Sequence, residues 1–195
     1  MTTANKITIL RVLLVPFFIV QVLYYVETGS EWHRLTALLT FGLAVVSDGL
    51  DGYIARRYNQ RSQLGAILDP MADKLLVVSG ILLLSFDHQP RLPQMPLWLA
   101  GTIVGRDMLL LIGLIVVYYS CGRVTVRPIL MGKLATVLQM VCVLWGLFKW
   151  DAAWLELWMA SAAIATAISG TFYFFDGLRQ LNASPTSGPA PGQGR

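Results

Sequence analysis

Six apolar runs of about membrane-crossing length use up most of this chain, and that leaves few folds open to it. The runs cover about residues 7–25, 35–55, 65–86, 97–119, 128–148 and 153–175, and a bilayer core takes roughly 20 apolar residues per helical crossing. With 55% hydrophobic and 13% charged residues in a chain of 195, a soluble domain could not cover its core with polar surface. The connecting segments are too short for a separate soluble domain. The expectation is an all-α fold: one polytopic membrane bundle of six transmembrane helices over residues 1–181. A Ser, Pro and Gly-rich tail over 182–195 then reads as disordered and cytoplasmic.

Orientation follows from where the cations fall. Lys6, Arg57, Arg61, Arg123, Arg127, Arg179 and Arg195 lie on one side of the six runs, and Arg34, Arg91 and Lys149 on the other. The first group marks the cytoplasmic side, with both termini. The net charge of +4 reads as topology and attraction for anionic headgroups; no basic stripe with interleaved aromatics argues for nucleic acid. The first run follows a basic start but lacks a small-residue cleavage pattern, so it reads as a retained helix rather than a signal peptide. Cys121 and Cys142 have no companions that would make a disulfide framework or a metal site, and apolar packing accounts for both.

Five aspartates fall inside these runs: Asp48, Asp51, Asp69, Asp73 and Asp107. A charged residue at mid-bilayer costs roughly 2.5 to 3.5 kcal/mol on insertion scales, so something must compensate. Asp48 and Asp51 are three apart and Asp69 and Asp73 four apart, which puts each pair on one helical face. A short loop joins the two helices, so both pairs come to the same membrane side. Four converging carboxylates stay ionised only if cations neutralise them. Hard oxygen ligands suit Mg²⁺, Mn²⁺ or Ca²⁺, and two such ions suit phosphoryl displacement. Gly52, Ala55 and Gly65 leave room for a bulky ligand beside the carboxylates, and Arg56 is suited to phosphate. A water-filled polar cavity, or the carboxylate path of a small cation or proton transporter, is the competing reading.

The spacing carries a family resemblance. Asp48, Asp51, Gly52, Ala55, Arg56, Gly65, Asp69 and Asp73, eight positions over 26 residues, resemble the complete signature of the CDP-alcohol phosphatidyltransferases. Asn5, Thr8 and Arg11, ahead of an apolar run with Pro16, are similar to a short family pattern in the first helix, and the six-helix plan extends the resemblance to all but the tail. The resemblance implies a CDP-diacylglycerol-dependent transferase. Asp48, Asp51 and Asp69 would hold two divalent cations, Mg²⁺ or Mn²⁺. Asp73 would share that site and take the acceptor hydroxyl proton. Gly52, Ala55, Arg56 and Gly65 would form the CMP pocket. Asn5, Thr8 and Arg11 point to the bacterial glycerophospholipid branch and to CDP-diacylglycerol as donor. A homodimer, an inner-membrane location and a site open to the cytoplasm are implied in the same way.

The acceptor must be read from the remaining charges. Arg106 and Asp107 sit mid-helix, as an ion pair that steadies the bundle or as site residues. Lys133, Thr136 and Gln139 share a face, with Arg127 one or two turns earlier; Arg106, Arg127 and Lys133 are the candidates for an acceptor phosphate, Lys133 alternatively snorkelling to the interface. Relatives that take glycerol 3-phosphate often have a second Lys where Ala135 stands and a further Arg on the fourth helix. Arg106-Asp107, the run 59–65 and Arg127-Pro128 with Lys133 are similar to the eukaryotic-type cardiolipin synthases. The expectation is therefore phosphatidylglycerol as acceptor, with glycerol 3-phosphate the alternative. Gly101 and Gly105 form a small-xxx-small face that serves either dimerisation or internal packing. Tyr24, Tyr25, Trp32, Trp98, Trp150, Trp154 and Trp158 read as an interfacial belt, and His33 and His88 as outer-loop residues without a catalytic role.

Overall fold

A chain surrounded by lipid has no water to satisfy its backbone, so each apolar run must close its hydrogen bonds within itself. The computed structural model shows each run as a helix: α1 (Thr3–Thr28), α2 (Glu31–Tyr58), α3 (Gln63–Ser85), α4 (Leu97–Cys121), α5 (Leu130–Phe148) and α6 (Ala152–Asn182). The structure describes the backbone of residues 3–58, 63–88, 90–121 and 130–182, and the side chains of 9–47, 74–88, 90–113, 115–116 and 130–179. Among the described residues there is no strand.

Six helices form where six were expected, but among the described residues only three are long and apolar enough to cross a membrane: α1 over Ile9–Thr28, α5 over Leu130–Phe148 and α6 over Ala152–Arg179. Among the described residues of α3 the apolar stretch is Lys74–Ser85, and α4 carries Arg106 and Asp107 near its middle. Helix α6 runs on to include Asn182, the first residue of the expected tail; residues 183–195 lie outside the described part.

Helix α3 packs between α1, α2, α4 and α5, while α1 lies along α2, and α6 along both α4 and α5. The core runs through Phe18, Phe41, Leu76, Val77, Ile81, Leu84, Val143 and Leu147, all buried. Phe18 and Phe41 tie α1 to α2 with ring centroids 5.4 Å apart. At the α3–α5 crossing Gly80 is required by space: a Cβ there would stand 2.8 Å from Val143 Cγ1. Cys142 is wholly buried in this core, as apolar packing predicts; the side chain of Cys121 is outside the described set. Leucines on the outer faces stay exposed, Leu13, Leu39 and Leu43 among them, as a lipid-facing surface requires.

The end carrying Arg34, Arg91 and Lys149 shows how those three cations are held. Arg34 Nη1 donates to the carbonyls of Leu147 and Phe148 at 3.1 and 3.4 Å, at the end of α5, and its Nε pairs with Glu31. Arg91 Nη1 donates to the Val26 carbonyl at the end of α1. Lys149 takes the left-handed conformation (φ 56°) just past α5, as a helix-ending residue does. Its ammonium sits 4.9 Å from the centroid of the Tyr25 ring and 3.3 Å from Glu31 Oε1. Tyr25 is the correction to the aromatic belt: it is 2% exposed, and its hydroxyl donates to Glu31 and to the Arg91 carbonyl. Trp158 is half-buried against the core and packs near Trp145. Tyr24, Trp32, Trp98, Trp150 and Trp154 are exposed, as belt residues are.

Candidate active site

Backbone placement comes first. Asp48 and Asp51, with Gly52, Ala55 and Arg56, lie in the second half of α2; Gly65, Asp69 and Asp73 lie in the first half of α3. The two helices pack together, and four residues, 59–62, link them. The side chains of those eight residues, and of Asn5 and Thr8, are outside the described set, and Arg127 lies outside the described residues altogether. Among the described residues there is no group of three His, Cys, Asp or Glu that could hold a metal. The donor set read from the sequence consists of carboxylates alone, two on each of two packed helices, and such a set fits a hard divalent cation.

The described side chains build the neighbouring wall, and they begin one residue after Asp73. Lys74 Nζ donates to Asp107 Oδ1 at 2.9 Å, from α3 to α4. The same oxygen accepts Arg106 Nη1 at 2.7 Å. Arg106 Nη2 donates in turn to Ser169 Oγ on α6 at 2.9 Å, and its guanidinium carbon lies 5.7 Å from the centroid of the Tyr173 ring. Glycines make this passage possible. A Cβ at Gly132 would stand 3.1 Å from Arg106 Nη2 and 3.2 Å from Tyr173 Oη, so α5 admits the guanidinium only because it presents hydrogen there. Arg106 Nε is buried with no hydrogen-bond partner among the described residues, and such a donor costs free energy unless something reaches it.

The ion-pair reading of Arg106 and Asp107 is the one seen: the two residues pair with each other, and the pair joins α4 to α3 and α6. Sequence reading missed Lys74, Ser169 and Tyr173 as members. The signal for Lys74 was present, since a cation next to Asp73 on an apolar helix needs a partner; Ser169 and Tyr173 carry no such mark. Arg11, the described member of the α1 pattern, is 1% exposed and has an interaction partner.

The face shared by Lys133, Thr136 and Gln139 does not hold as one site. Lys133 is exposed, next to exposed Leu134. Gln139 is buried and donates from Nε2 to Thr166 Oγ1 at 2.9 Å, which fastens α5 to α6. Thr136 turns its hydroxyl back to the Gly132 carbonyl. A spacing of three and then six residues drifts round the helix, so the ends of such a row diverge. Gly101 and Gly105 are exposed, and among the described residues nothing packs on this small-residue face. His33 hydrogen-bonds Gln21 at 2.8 Å and stacks on Tyr24, a structural role at the end away from Lys74.

Compared with known proteins, residues 1–177 match the profile of the CDP-alcohol phosphatidyltransferases. The chain belongs to the CDP-alcohol phosphatidyltransferase family. As a member of that family it is a transferase, and the transporter reading falls away. A family relative from Escherichia coli strain K12, named CDP-diacylglycerol–glycerol-3-phosphate 3-phosphatidyltransferase, is 33% identical over 159 residues, 82% of this chain and 81% of its own. One of the same name from Salmonella paratyphi A is 31% identical over the same shares. A third of that name, from Pseudomonas fluorescens, is 42% identical over 111 residues. That last match spans about half of each protein, 55% of this chain and 52% of the relative.

Proposed function

We propose that this phosphatidyltransferase works in a membrane and moves the phosphatidyl group of CDP-diacylglycerol to glycerol 3-phosphate, releasing CMP. The observation that carries the reading is the Lys74–Asp107–Arg106 network, which joins a cation on the helix that bears Asp69 and Asp73 to a second on α4, in a chain whose relatives are named for that acceptor. The expectation of phosphatidylglycerol gives way here to its alternative. It rested on a resemblance to cardiolipin synthases and on too few cations: Ala135 stands where a second Lys was looked for, and it is wholly buried on α5. Lys74 was left out of that count.

In the proposed reaction the acceptor hydroxyl oxygen attacks the phosphorus that bears diacylglycerol. The bond from that phosphorus to the oxygen of CMP breaks, and CMP leaves. Asp73 takes the hydroxyl proton. Gly52, Ala55 and Gly65 leave room for the cytidine, and Arg56 pairs with its phosphate. Asp48, Asp51, Asp69 and Asp73 would hold two divalent cations, Mg²⁺ or Mn²⁺, which would supply positive charge to neutralise the pyrophosphate. Holding donor and acceptor in line in a site poor in water supplies most of the rate. The active site and both termini face the cytoplasm, all six helices span, and the exposed Gly101–Gly105 face is free to meet a second copy in a homodimer.

The test is an acceptor comparison. Purified full-length protein in detergent, given CDP-diacylglycerol and Mn²⁺, should release CMP faster with glycerol 3-phosphate than with phosphatidylglycerol. The reverse order restores cardiolipin synthesis, and no CMP release with either acceptor removes the reading.

A further inference from the structure

The network beside Asp73 contains one cation more than it has carboxylates. Lys74 and Arg106 both donate to a single oxygen of Asp107, at 2.9 and 2.7 Å, and among the described residues no second carboxylate joins them. One ion pair would be enough to hold α3 to α4. Among the described residues a second cation on the same carboxylate leaves one positive charge unmatched at a partly buried ion pair, a charge that an arriving anion would balance.

The two cations differ in access. Arg106 has a side chain only 10% exposed. It is enclosed by Ser169 and Tyr173 and by the bare backbone of Gly132 and Gly170. The Lys74 side chain is 44% exposed, and its ammonium has two N–H donors left after the bond to Asp107. Its Cα is about 3.8 Å from that of Asp73 along α3. A lysine so exposed would ordinarily extend its stem toward headgroups and water; the bond to Asp107 keeps it beside the site instead.

We infer that Lys74 is the cation that receives the phosphate of the acceptor alcohol, and that Asp107 is a positioning residue that aims it. Arg106 forms the wall behind, anchoring Asp107 from α4 to α6. The inference rests on phosphatidyl transfer as proposed above, and it holds for any acceptor alcohol that carries an anionic phosphate. Lys74 thereby makes up for the cation missing at Ala135.

Kinetics of Lys74→Met, Lys74→Arg and Asp107→Asn in the full-length protein test it, with CDP-diacylglycerol and acceptor varied separately. Removing a charge-assisted hydrogen bond to phosphate should raise KM for glycerol 3-phosphate about tenfold or more in Lys74→Met, with KM for CDP-diacylglycerol within about twofold of wild type. Lys74→Arg should recover most of that loss. Asp107→Asn should raise the acceptor KM by about threefold or more with the donor KM again unmoved. An acceptor KM in Lys74→Met within about twofold of wild type overturns the inference, and so does a parallel rise for both substrates, since a merely structural residue would act on both. Should Lys74→Met not fold, Lys74→Gln answers the same question. Failure of the acceptor assignment is separate: wild type that uses phosphatidylglycerol but not glycerol 3-phosphate overturns that assignment, and the same KM comparison then tests Lys74 with phosphatidylglycerol.

Discussion

Gly80 of α3 and Val143 of α5 approach so closely that a methyl group on the glycine would lie 2.8 Å from one valine methyl and 3.1 Å from the other. The crossing is built on that absence. It brings α3, whose first half carries Asp69 and Asp73, against the α5–α6 pair. Because both residues are in the interior of helices, relief has to come from moving a helix or turning the valine.

Gly80→Ala should lower the melting temperature in detergent, with a cost of about 1 to 3 kcal/mol from overpacking. Val143→Ala in the same chain should return part of the loss, because it removes both clashing methyls. A double-mutant cycle with no coupling between the two positions would contradict the close approach.

Gly132→Ala should act on the site more than on stability. Its Cβ would press on the ends of the Arg106, Tyr173 and Ser169 side chains, at 3.1 to 3.3 Å, and these can shift by a few tenths of an ångström. Moving Arg106 disturbs Asp107 and through it Lys74. The expected result is kcat/KM for the acceptor down by about three- to tenfold with an almost unchanged melting temperature. A large loss of stability with normal kinetics in the remaining folded protein would contradict it.

Asp73→Asn keeps the shape of the side chain but cannot accept the hydroxyl proton and binds a divalent cation more weakly. CMP release should fall by about a hundredfold or more while the protein elutes and melts like wild type. Chelation by EDTA should abolish CMP release in wild type, and added Mn²⁺ or Mg²⁺ should restore it. Undiminished turnover in either experiment would remove these carboxylates from the chemistry.

Glu31, at the opposite end of the bundle, supplies a pH test. The hydrogen bond from Arg34 is the main reason its carboxyl is held below the ordinary 4.5; loss of water contact opposes it, and the Lys149 hydrogen bond adds to the lowering. A depressed folded value means the contribution is present above the ordinary carboxylate value and is lost as pH falls through the folded one. The difference in melting temperature between wild type and Glu31→Gln should be small near pH 7, because the pair is exposed, and should shrink below pH 4.5 and vanish as pH falls through the lowered folded value. A difference that grows on acidification would contradict the ion pair.

Several candidate site residues could be proposed from sequence because their information is local. Asp48 with Asp51 and Asp69 with Asp73 are read from spacing along a helix of known period, and the family pattern adds the residues between them. Arg106 and Asp107 were recognisable as residues that need partners, since charges in an apolar helix do. The partners themselves were not recognisable: Lys74 and Asp107 are 33 residues apart, and their contact depends on how α3 and α4 are rotated against each other. Tyr25 was misread for a related reason. A tyrosine at the end of an apolar run looks like a belt residue, and only the arrival of Glu31 and the Arg91 carbonyl at its hydroxyl makes burial favourable.

From its sequence alone this protein was determined to be helical, to hold six long helices and to place two aspartate pairs on consecutive ones, because hydrophobic period and residue spacing act within a single helix. Tertiary structure alone decided that one carboxylate oxygen of Asp107 would serve both Lys74 and Arg106, that Gly132 would make room for a guanidinium, and that Gln139 would turn to Thr166 rather than stay beside Lys133. Those outcomes depend on the rotation and separation of packed helices. They are set by where small residues let backbones approach, a sum over many weak contacts that no single stretch of chain contains.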